Sequence, residues 1–117
     1  MSDTNDILRC DDCDGLISEL DGAMFVWLAH ADGTVESAGL LHKRCEESND
    51  PLVLWVELSW LADPAEALER VASMAVRYRF RGLELTKLVT AAWAASRVAT
   101  PQQAAAARRI AERMRGE

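Results

Sequence analysis

At 117 residues, half of them apolar, the chain is long enough to bury one modest core, and its composition argues against disorder. The net charge of −6 is unevenly shared: residues 1–50 hold twelve acids against three bases, a balance of −9, and residues 51–117 hold seven against ten, a balance of +3. Lys and Arg supply most DNA affinity, so an acidic first half excludes that half as a phosphate binder, and no apolar run approaches the ~20 residues that span a bilayer.

Residues 1–6 are polar and acidic, without the basic start and apolar run of a secretory signal, so the expectation is a soluble, cytoplasmic protein with reduced thiols. Its three cysteines cannot all pair with one another, whereas metal ligation uses every one of them. Two of them form Cys10-x2-Cys13, with polar turn residues between the thiols and Gly15 two positions on. Gly15 is expected to take positive φ and turn backbone amides toward the sulfurs, after which Leu16, Ile17 and Leu20 start a small core. A strand over 23–30, a turn at Asp32-Gly33 and a second strand over 35–41 follow as a hairpin.

The hairpin leads into His42-x2-Cys45, whose two ligand types share one face of a helical turn, and then to the stop signal Asn49-Asp50-Pro51. Two ligand pairs held 28 residues apart are what a tetrahedral Zn2+ asks for: Cys10, Cys13, His42 and Cys45. Three thiolates and a neutral imidazole would leave the site at a formal −1, which the neighbouring Lys43 and Arg44 are expected to offset. Four ligands also leave no position for a reactive water, which argues against metal-assisted hydrolysis. Iron is the other ion that a sulfur-rich set of four accepts.

Knuckle, hairpin and ligand-bearing turn, in that order, resemble the treble-clef zinc fingers over residues 8–50, with Cys10, Cys13, His42 and Cys45 in the four ligand positions. The ligand order is also similar to one half of a LIM-type module, from which this chain departs by a longer gap and by lacking a second cysteine-rich half. Treble clefs occur in binders, enzymes and structural appendages alike, so the resemblance implies a local fold and no particular task.

Residues 52–61 read as a further strand or extended segment, whose Trp55 and Trp60, with Trp27, are expected to join the zinc module to the rest. Asp63-Pro64 opens a helix with an apolar face of Leu68, Val71, Ala72, Ala75 and Tyr78, ended by Gly82. Leu85, Leu88, Val89, Ala92 and Trp93 define a second helix to about Arg97. Thr100-Pro101-Gln102-Gln103 is a capping box for a third, with Ala104, Ala107, Ala111 and Met114 inward. The expected class is α+β: a treble-clef-like zinc module of knuckle, β-hairpin and short helix on a C-terminal bundle of about three helices. A single compact domain is expected, with sub-regions 8–50, 51–62 and 63–116.

This pattern points to a non-catalytic, zinc-binding module that interacts with a protein partner or with itself in a regulatory role. A nucleic-acid-binding regulator is the alternative, using Arg108, Arg109 and Arg113 with Gln102 and Gln103 on helices spaced as in a helix-turn-helix. A dithiol redox or zinc-dependent enzyme comes third. Reactive thiols want nearby positive charge and a pKa well below ~8.5, and Asp11, Asp12 and Asp14 are expected to oppose that at Cys10 and Cys13. His30, at a strand end, reads as surface or packing, and neither a Ser-His-acid arrangement nor a glycine-rich phosphate loop is present.

Overall fold

A computed structural model describes residues 8–46 and 50–116; the acidic first residues and Asn49 of the stop signal lie outside the described residues. Three antiparallel strands, β1 (Ala23–Ala29), β2 (Val35–His42) and β3 (Val53–Glu57), form one sheet in the order β2-β1-β3. β1 is central, and its alternation is that of a half-buried strand: Ala23, Phe25, Trp27 and Ala29 point into the core. The hairpin turns where Asp32 accepts the Thr34 N–H at 2.9 Å and Gly33 takes φ 90°, a conformation that a side chain disfavours. Its register sets Ala23 opposite His42, so the hairpin carries the second ligand pair back beside the start of β1.

β3 runs directly into a 3₁₀ turn, Leu58–Leu61, whose Leu58 and Leu61 are fully buried. Each of the three helices, α1 (Pro64–Arg77), α2 (Leu83–Val98) and α3 (Pro101–Gly116), touches this turn, and α2 also lies against β2. The class is mixed α and β as expected. The helices pack on one another, α1 against α2 and α3, and gather around the Leu58–Leu61 turn, with α2 also resting on the sheet. The reason is compositional: α2 buries Leu88 with Ala91, Ala92, Ala94 and Ala95, and so many small side chains let it approach a β-surface closely.

Both expected caps form. Asp63 accepts the Glu66 N–H at 3.1 Å, and Thr100 and Gln103 exchange bonds at 3.1 and 2.8 Å. The helix faces depart from the sequence pattern. α1 ends at Arg77, not at Gly82, because Tyr78 to Phe80 run extended beside the hairpin turn, with the Arg79 N–H on the Gly33 carbonyl at 2.7 Å. Tyr78 and Phe80 thereby join Phe25 and Trp27 in an aromatic cluster, and Gly82, at φ 56°, opens α2. The residues that α1 buries are Ala67 and Met74, whereas Leu68 is 73% and Val76 87% exposed. Two contacts go with that rotation: Arg108 of α3 reaches Asp63 at 2.7 Å, and the Arg70 guanidinium lies 5.1 Å from the Trp60 ring. Val89 and Met114, expected inside, stand about half-exposed, as does Trp93 beside that face, and so does Trp55, so that Trp27 alone of the three joining tryptophans is buried.

Asp63 thus serves as both α1 cap and α3 anchor. Burial alone would raise its pKa, but the Glu66 N–H and the Arg108 guanidinium hold it below the usual carboxylate value. A carboxyl depressed in the folded state contributes stability above its unfolded pKa and loses it as pH falls through the lower folded value. Asp63→Ala is expected to cost about 1–2 kcal/mol near neutrality, and Asp63→Asn, which still caps, less. In urea denaturation followed by circular dichroism, the gap between Asp63→Ala and the unsubstituted chain should narrow below about pH 4.

Candidate metal centre

The first ligand pair sits on a knuckle closed by backbone bonds: Ile17 N–H to Leu8 O at 2.8 Å, Cys10 N–H to Gly15 O at 2.9 Å and Asp14 N–H to Cys10 O at 2.9 Å. The left-handed residue is Asp14, at φ 60°, and not Gly15 as expected. Gly15 is needed for space instead. A Cβ there would lie 3.2 Å from Cys13 Sγ and 3.6 Å from His42 Cε1, and the Gly15 N–H donates to Cys13 Sγ at 3.4 Å.

Asp11, between the two thiols, fastens the knuckle to β2. Its N–H donates to the Leu40 carbonyl at 2.8 Å and its carboxylate accepts the Leu40 N–H at 3.0 Å. Gly39 makes this approach possible, since a Cβ on it would collide with the Asp11 carboxylate. Sequence reasoning missed Gly39 and Asp11 in these roles; a glycine inside a strand, marking close approach of another backbone, was the signal available.

His42 is the last residue of β2, and Lys43–Cys45 is a single 3₁₀ turn where a short helix was expected. The ring is oriented from its far side: Nε2 lies 3.1 Å from the Leu16 carbonyl. A carbonyl only accepts, so Nε2 carries the proton and Nδ1 keeps its lone pair. That lone pair faces the sulfurs, with Nδ1 3.4 Å from Cys13 Sγ and 3.9 Å from Cys45 Sγ, while the His42 backbone N–H donates to Cys10 Sγ at 3.4 Å.

The ligand atoms of Cys10, Cys13, His42 and Cys45 all lie within 4.8 Å of one another. Bond lengths of about 2.3 Å to sulfur and 2.0–2.1 Å to nitrogen place tetrahedral ligand atoms roughly 3.5–3.8 Å apart, so the four residues suit a metal ion. The imidazole's outward N–H on a carbonyl is the support that metal-bound histidines receive. Cys10 and His42 are buried, and Cys13 forms the open side.

The thiols differ in environment. Burial pushes Cys10 up, but the amides of Cys13, His42 and Asp12 and the Cys45 thiol outweigh it and draw its pKa to about 6. Burial, hydrogen bonds with Cys10 and Cys13 and their negative charge push Cys45 to about 12. The flanking aspartates therefore do not govern Cys10, contrary to expectation, because amide dipoles at hydrogen-bonding distance dominate. Cys10, the thiol drawn down, is only 1% exposed, whereas Cys13 of the same pair is open to solvent. The chain itself lowers only Cys10; to hold Cys45 as a thiolate as well would call for a cation.

The other residues singled out in the sequence lie elsewhere. Lys43 pairs with Glu57 instead of offsetting the cluster, Arg44 is exposed, and Arg9 reaches the knuckle by donating to the Asp14 carbonyl at 3.0 Å. His30 pairs with Glu36 at 2.9 Å on the surface. Arg108 is committed to Asp63 and Gln103 to its cap, whereas Gln102, Arg109 and Arg113 remain exposed. No family model, curated protein or solved structure matches this chain.

Gly39→Ala is expected to force Asp11 off Leu40 and cost about 1–3 kcal/mol, as overpacking does. The double variant Asp11→Ala with Gly39→Ala should show far less than the sum of the two single losses, and additive losses in thermal melts would contradict the shared contact.

Proposed function

We propose that the chain is a non-catalytic protein-interaction or regulatory module whose small N-terminal part is a treble-clef-like finger held by a structural zinc ion. The observation that carries this reading is the convergence of three thiols and one pre-oriented imidazole nitrogen on a single position. Zinc would take Cys10, Cys13, His42 and Cys45 as a closed set, cross-linking knuckle to hairpin end and supplying stability that so small a core lacks. A closed set favours a scaffold over a catalyst, since catalytic zinc keeps a ligand position free.

The helices supply the surface for a partner. Between α1 and α2 runs a groove of about 320 Å³ lined only by uncharged residues, among them Leu68, Val71, Val89 and Trp93. Apolar side chains grouped in this way are more typical of contact surfaces than of solvent-facing helices. Among the described residues no helix is long and apolar enough to cross a membrane.

Elemental analysis of the purified protein should find one zinc per chain, and chelation should abolish the cooperative thermal transition. His42→Ala should lower both zinc occupancy and melting temperature. A folded, metal-free chain of unchanged stability, or one iron in place of zinc, would overturn the structural-zinc reading.

A further inference from the structure

Three of the chain's four tryptophans and its only tyrosine line one cleft outside the metal centre. Trp27 forms part of its wall beneath β3, Trp55 and Trp60 lie with centroids 5.8 Å apart, and Tyr78 meets Trp27 edge-on at 5.6 Å. α1 contributes Arg70 and Arg77 to the lining, and no acidic residue takes part. Neither arginine forms an ion pair among the described residues, although Arg70 is half-buried and its guanidinium covers Trp60.

A second observation singles out the same walls. Among the described residues, the side-chain polar atoms buried without any hydrogen-bond partner are Trp27 Nε1 and Arg70 Nε, and both residues line this cleft. A buried N–H left without an acceptor costs on the order of 1–3 kcal/mol, so the walls are short of acceptors; the two atoms themselves lie beneath the surface, and the donor open to a guest is the exposed Arg77. The other contact of Arg70 is weak, Nη2 lying 3.5 Å from the thioether of Met114. Burial also pulls the Arg70 pKa below its usual value, with Glu66 and Glu69 opposing the shift and Arg115 adding to it.

From this arrangement we infer that the cleft is a binding site for a small aromatic carboxylate of one or two rings. Aromatic walls accept a flat ring by offset or edge contacts, and arginine takes a carboxylate through paired N–H donors. Cations, the other guests of aromatic cages, are disfavoured by two arginines and no acid in the lining. The cleft's volume of about 270 Å³ is of the order that a guest of one or two rings fills. The site is separate from the zinc reading and stands whether or not that reading holds.

The test is calorimetric titration of the purified chain with 2-naphthoate, 2-naphthamide, cyclohexanecarboxylate and adenosine monophosphate, with the indole N–H resonances followed by NMR. Expected are one site per chain, naphthoate at least about tenfold tighter than the other three, and movement of the Trp27 and Trp55 indole signals. Arg77→Gln, an exposed position, should weaken naphthoate and leave naphthamide unchanged, and Trp55→Ala should weaken both; circular dichroism and thermal melts confirm that each variant folds. Equal affinity for acid and amide, tighter binding of the nucleotide, or insensitivity to both substitutions in folded protein would overturn the assignment.

Discussion

The imidazole of His42 is held from three directions. Its backbone closes the β1–β2 ladder opposite Ala23, its N–H points at Cys10 Sγ, and its ring is tied through Nε2 to the Leu16 carbonyl. Each bond comes from a different part of the first 45 residues, so the ring's placement depends on knuckle and hairpin together. In return it fixes the angle at which the knuckle meets the sheet, because Leu16 sits on the far limb of the knuckle from Cys10.

The same geometry explains why so acidic a segment folds here at all. Residues 8–46 contribute few large buried side chains, chiefly Leu8, Ile17, Leu20, Phe25 and Trp27, and hydrophobic burial on that scale is marginal for a unit of this length. The deficit is met from two sides. Leu58, Leu61 and the small residues of α2 close the core from the C-terminal half, and four donors converge on the opposite side, where a cation would lock the loop they close.

Much of this was legible in the sequence. Ligand spacing gave Cys10, Cys13, His42 and Cys45, and Asp32-Gly33, Asp63-Pro64 and Thr100 to Gln103 announced a turn and two helix starts that the structure contains. Those signals are local, set by chemistry within three or four residues. Helix rotation is not local. The apolar stripe of α1 reads Leu68, Val71, Ala72 and Ala75, yet the side the helix buries, Ala67 and Met74, faces neighbours distant in the chain, among them α2 and α3. Gly39 and the escape of Tyr78 to Phe80 from α1 were hidden for the same reason: their causes, Asp11 and Gly33, lie far away in the chain.

A three-stranded sheet in the order β2-β1-β3 has two free edges, and edges are where chains add to one another. On the outer side of β2, Asp11 uses its own N–H and carboxylate to take both backbone groups of Leu40, a partner that mimics a strand without offering a further rung. The knuckle is therefore a guard as well as a ligand holder. Were it to swing away, Leu40 and the His42 N–H would be left unpaired, with only Lys87 on the Ala38 carbonyl still covering that edge, so protection against intermolecular β-pairing is coupled to whatever keeps Cys10 and Cys13 beside His42.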